Sequence, residues 1–158
     1  KRMGPFYSRV VMADFEIGSH RFVEGGGGIT ADVLTELWRS TVQAYFGEAI
    51  PEDDPYMHSW ARIPHIYNTP FYVYQYATCF ASAASLIKQM KADPAATERY
   101  IELLKSGGND YPMNQLRKAG IDLTDPQILQ AVVDEFRGMV DLLEAEYSLL
   151  QAGQSKRS

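Results

Sequence analysis

Apolar residues recur every three or four positions in long blocks separated by glycine- and proline-rich breaks, and no strand-length stretch alternates strictly. The pattern predicts an all-α, multi-helix fold. From about Phe6 to Glu24, Phe6, Val10, Ala13 and Ile17 describe one apolar stripe. Gly25-Gly26-Gly27-Gly28 breaks that helix and reads as a flexible connector. Thr30 caps a second helix reaching about Phe46, with Leu34, Leu37, Trp38, Thr41 and Tyr45 inward and Gly47 as the stop. Glu48 to Arg62 is too rich in proline and acid for regular structure, and Trp60 anchors this connection on the helices. Thr69-Pro70 reads as an N-cap and first helical residue, so a third helix is expected from Phe71 to Lys91, with Tyr76 and Phe80 on its buried face. Asp93-Pro94 opens a helix carrying Tyr100, Ile101 and Leu104 and closed by Gly107-Gly108. A short helix spans Pro112 to Ala119. Asp125-Pro126 begins the longest one, with a broad apolar face from Ile128 through Val132, Phe136 and Leu143 to Tyr147. Residues 1–153 form one structural region, and the polar stretch 154–158 is a frayed tail.

Charge and cysteine usage narrow the class. A net charge of -5 with scattered basic residues argues against nucleic-acid binding. No apolar run approaches the roughly 20 residues of a membrane span. The single cysteine excludes an intrachain disulfide and fits a reducing, cytoplasmic setting. The chain begins at Lys1 with no initiator methionine and no targeting signal, which is expected of a piece of a larger soluble protein.

The candidate chemistry concentrates between Ile63 and Tyr76. His65 and Tyr67 are expected in a loop after Pro64, with Tyr72, Tyr74 and Tyr76 in the first turns of the following helix. Tyr72 and Tyr76 share one face and Tyr74 lies on roughly the opposite one. A phenol and an imidazole are both hydrogen-bond donors, and aimed at one carbonyl oxygen they would stabilise negative charge developing there. The competing reading makes these tyrosines core residues whose hydroxyls find water at the rim. Other candidates carry less. Asp14 and Glu16 read as a solvated helix face. His20 and Glu24 are four apart but too few for zinc, His58 reads as a surface histidine, and Cys79 as a small packing residue.

The residue order favours the site. Arg62-Ile63-Pro64-His65 and Phe71-Tyr72-Val73-Tyr74-Gln75-Tyr76-Ala77-Thr78 closely resemble the C-terminal part of oligoendopeptidase F, a zinc peptidase of the thimet oligopeptidase superfamily. The resemblance extends to Met12-Ala13-Asp14-Phe15-Glu16, Tyr45-Phe46-Gly47, Leu103 to Gly108 and Lys118 to Leu123, and so covers nearly the whole chain. It implies the C-terminal portion of a helical metallopeptidase catalytic domain that hydrolyses short peptides. In that family zinc polarises the scissile carbonyl and a histidine and a tyrosine hold the resulting oxyanion. Those roles fall on His65 and Tyr74, with Tyr67 as a further donor and Tyr72 at the channel wall against the peptide. The family's His-Glu-x-x-His motif is absent from these residues, so zinc ligands are expected upstream of Lys1, none within this chain, and the chain alone is expected to be inactive. Its expected partners are peptide substrates and the missing N-terminal part of the enzyme. A non-catalytic helical module for peptide binding or assembly is the alternative.

Overall fold

The computed structural model describes residues 4–155, whose regular structure is helical, with no strand among them. They fall into two compact units, Lys1–Ala77 and Thr78–Ser158.

In the first unit, α1 (Gly4–Glu24) packs against α2 (Ala31–Phe46). The buried stripe of α1 is rotated from the one expected: Val11 and Phe15 are buried, together with Phe6, Glu16 and Ser19, while Ile17 is exposed. The run Val10-Val11-Met12-Ala13 offers two apolar phases, and the partner helix selects the second. Phe15 meets Trp38 edge-on, with ring centroids 5.2 Å apart, and the Trp60 ring lies tilted 6.4 Å from that of Phe15. Trp38 is fully buried and its indole N–H donates to the Tyr56 carbonyl at 2.9 Å. Val42, Met57 and Ile63 complete this core. Tyr45, expected inward, is exposed and directs its hydroxyl to Asp14 at 3.4 Å.

The glycine run is more ordered in its first half than a connector. The Gly26 N–H returns to Val23 and the Gly27 N–H to Phe22, both at 2.9 Å, with Gly26 at φ 88°. This is the paired-bond helix stop that requires a residue in left-handed conformation. A side chain on Gly27 would collide with the Phe22 ring. Thr30 caps α2 through its side chain, accepting from Val33 N–H, and Gly47 ends it, as expected. The proline-rich connection is partly regular: a 3-10 turn at Gly47–Ala49 and a 3-10 helix at Pro55–Arg62, which Trp60 ties to α2 through its bond to Thr35 Oγ1 at 3.2 Å. Next come α3 (Pro64–Asn68) and the start of α4 (Tyr74–Ala92).

The second unit holds the rest of α4, then α5 (Pro94–Ser106), α6 (Pro112–Lys118) and α7 (Gln127–Ser155). Asp93 caps α5 by accepting from Ala95 N–H, and Pro94 occupies its first turn. Ala81, Ser82, Ser85 and Leu86 of α4 are buried, as are Ala96, Ala119, Ile121, Ile128 and Val132. Beyond Val132 the apolar face of α7 is uncovered: Leu142, Leu143, Tyr147, Leu149 and Leu150 are each more than 60% exposed. Leu104 of α5 is likewise exposed. The helix continues through Gln154 and Ser155, and the remainder of the expected polar tail lies outside the described residues.

The corner before α6 is held electrostatically. Lys118 Nζ lies 2.6 Å from Asp110, which also accepts from Asn114 and from Tyr111 N–H. These bonds, Lys118 first, lower the Asp110 carboxyl from 3.8 to about 2. A lowered folded-state value means stability present above the unfolded value and lost as pH falls toward the folded one. Thermal melts should therefore fall between about pH 4 and about pH 2, and Asp110→Asn should lose less across that window than the parent chain. Identical pH dependence in the two would contradict the bond network.

Candidate functional site

Local rules build the site. Ile63 is extended and buried, and Pro64, which lacks an N–H, takes the first position of α3. His65 is therefore helical rather than in a loop. Thr69, expected to start a helix, instead ends one: its N–H returns to the His65 carbonyl at 2.9 Å and its hydroxyl donates to the same oxygen at 3.2 Å. Phe71 then takes φ 57°, and α4 begins only at Tyr74. Val73 is fully buried between two exposed residues, Tyr72 and Tyr74.

This turn brings His65 and Tyr72 together. Their rings stack at 5.6 Å with an interplanar angle of 8°. Tyr76 closes the cluster edge-on, 5.4 Å from Tyr72 and 6.3 Å from His65, and its hydroxyl lies 3.5 Å from that of Tyr72. From α1, the Arg9 guanidinium lies over the Tyr76 ring, 5.0 Å from its centroid. Tyr76 is thus 43% exposed and belongs to the cluster surface, not to the core expected for it. Among the described residues, no hydrogen bond or ring contact joins Tyr74 or Tyr67 to His65; both phenols are about half exposed.

The hydrogen bond with Tyr76 is the main influence raising the Tyr72 pKa, followed by the charge Tyr76 would carry and by burial. Burial raises that of Tyr67. Both phenols keep their protons at neutral pH and remain donors. The sequence pattern did not point to Arg9 at the site, nor to a buried Glu16, although a signal existed: Arg9, Met12, Glu16 and His20 recur at helical spacing as a second stripe of α1. Glu16, read as solvated, is 1% exposed and accepts from Phe71 N–H at 2.7 Å.

A catalytic zinc site needs three protein donors. Among the described residues no three His, Cys, Asp or Glu side chains gather. His20 turns its Nδ1–H to the Glu16 carbonyl at 2.8 Å, and these residues do not make a zinc site.

The family assignment comes from comparison with known proteins. The model of Peptidase family M3 matches residues 2–135. The chain belongs to peptidase family M3. It is 35% identical over 153 residues to oligopeptidase PepF of Bacillus subtilis, covering 96% of this chain. Against an oligoendopeptidase F homolog of Borreliella burgdorferi it is 35% identical over 133 residues, 84% of the chain. The group B oligopeptidase PepB of Streptococcus agalactiae is 34% identical over 142 residues, 89% of the chain. The chain spans 22% of the length of the first two relatives and 24% of the third. No solved structure gives a significant match. The M3 chain has no described helix long and apolar enough to cross a membrane.

Proposed function

We propose that this M3 chain supplies the peptide-contacting and oxyanion-stabilising residues of a zinc-dependent oligoendopeptidase whose metal ligands lie outside residues 1–158. The observation that carries this reading is the exposed aromatic surface around His65. Tyr67, Phe71, Tyr72, Tyr74 and Tyr76 are each at least 37% exposed within one short stretch. Exposed aromatic patches of this kind mark binding surfaces, since large rings gain most by leaving water.

In this reading the His65–Tyr72 stack forms a wall against which an extended peptide lies. Tyr74 directs its hydroxyl to the scissile carbonyl oxygen as that oxygen becomes negative, and a His65 N–H donates to the same atom. Tyr67 is a further donor, and partial burial raises its pKa. The exposed apolar face of α7 is covered by the remainder of the enzyme, and the free thiol of Cys79 suits a cytoplasmic setting.

The same α7 face also favours the second reading, a non-catalytic module for peptide binding or assembly. Activity separates the two. The protein extended to the length of its relatives should cleave short peptides and lose that activity to a chelator. The isolated 158-residue chain should cleave none and take up no stoichiometric zinc by calorimetry. Zinc bound tightly by the chain alone would overturn the placement of the ligands. A full-length protein that binds peptides without cleaving them would establish the module instead.

A further inference from the structure

Phe71 is, among the described residues, the one non-glycine residue with positive φ, at 57°. A bulky side chain rarely adopts this conformation, and it persists only where the surroundings impose it. Here α1 imposes it. Glu16 Oε1 accepts from Phe71 N–H at 2.7 Å across 55 residues of sequence. One helical turn on, the His20 ring lies 4.5 Å from the Phe71 ring, oriented by its own bond to the Glu16 carbonyl. Two residues later, fully buried Val73 pins the chain again.

We infer that Glu16 is a positioning residue for the oxyanion donors, an inference that rests on the reading of His65 and Tyr74 given above. At 1% exposure the Glu16 side chain has left water, and one of its oxygens is satisfied by a loop amide. At 2.7 Å this bond is short, and it can hold a strained residue that a side chain without an acceptor oxygen would let relax. The reversal at Phe71 sends Tyr72 back onto His65 and starts α4 at Tyr74. Releasing it would shift both tyrosines while leaving the helices on either side intact. In this reading Glu16 acts through Phe71, to which its side chain is bonded, and not on the substrate directly.

The test uses the full-length peptidase with Glu16→Ala and Glu16→Gln, each alone and combined with Tyr74→Phe. Two quantities are read: amide hydrogen exchange at Phe71 and steady-state kinetics. Glu16→Ala should speed Phe71 exchange and lower kcat by about ten- to a hundred-fold, the scale of misplacing reacting groups by up to about 1 Å, with KM little changed. Glu16→Gln keeps an acceptor oxygen and should recover most of both losses, which a purely charge-based role would not allow. Tyr74→Phe should add little once Glu16 is alanine, because a displaced donor has little left to lose. Should the alanine variant fail to fold, Glu16→Met fills the same volume without an acceptor and carries the same expectations. A folded Glu16→Ala or Glu16→Met with unchanged kcat, or with a full additional loss from Tyr74→Phe, overturns the inference. If Tyr74→Phe alone has no effect, the reading of the site fails; fast Phe71 exchange with reduced kcat in Glu16→Ala would still uphold the brace.

Discussion

Tyr74→Phe in the full-length peptidase should lower kcat by on the order of a hundred- to a thousand-fold, the usual cost of one oxyanion donor. The substitution keeps the ring and removes only the hydroxyl. Tyr74 is 47% exposed, so no core packing is lost with it. A bond that strengthens as the oxygen becomes negative acts on the transition state, and KM should move far less than kcat. His65→Ala should act in the same direction, with some disorder added because the Tyr72 ring loses its stacking partner. Zinc content should not change in either variant. The double variant should lose less than the product of the single losses if both donors serve one oxygen. A kcat near that of the parent for Tyr74→Phe would return this tyrosine to the role of an ordinary surface phenol.

The second large effect concerns stability. Trp38→Ala should destabilise the first unit by about 3–5 kcal/mol, the range for truncating a buried aromatic side chain. Trp38 is fully buried, meets Phe15 edge-on and satisfies the Tyr56 carbonyl. Removing it leaves a cavity beside Phe15 and takes one donor from that carbonyl, and both changes act in one direction. Chemical denaturation followed by Trp60 fluorescence reads the loss, since Trp60 borders the same core. A change below about 1 kcal/mol would mean that the core re-forms around the gap.

What the sequence made legible were features decided within a few residues. Thr30 and Asp93-Pro94 start helices where expected because a cap bonds its own first turn. Gly47 and Gly107 stop helices at φ 55° and 57°, a conformation few other residues accept. The all-α class followed from the same local signals and from apolar periodicity. Trp60 anchors its loop as read.

Features decided at a distance were not legible. The phase of the α1 stripe depends on which of two apolar rows meets Trp38, and nothing in the local pattern of α1 distinguishes them. Thr69-Pro70 has the composition of a helix start, yet Pro64 had already begun a helix and the Thr69 N–H was taken by His65. The Phe71 N–H is bound by Glu16, which lies 55 residues away, so a window around Phe71 holds no sign of it. Tyr76 was placed in the core because aromatic residues at helical spacing usually are; Arg9 and the His65–Tyr72 stack give its ring another place at the surface. For the candidate site, the concentration of aromatic side chains near His65 was legible, but that Tyr72 is the ring stacked on His65 was not. Nor were the distances of Tyr67 and Tyr74 from that pair, because they depend on the strained turn between α3 and α4.

The most direct test of the central claim compares a phosphinic peptide, whose charged tetrahedral group imitates the oxyanion, with a peptide substrate across the parent, Tyr74→Phe and His65→Ala. If these residues bind the oxyanion, the loss of affinity for the phosphinic peptide should track the loss of kcat/KM from variant to variant, while substrate binding changes little. Variants that lose kcat/KM yet hold the phosphinic peptide as tightly as the parent would contradict the account.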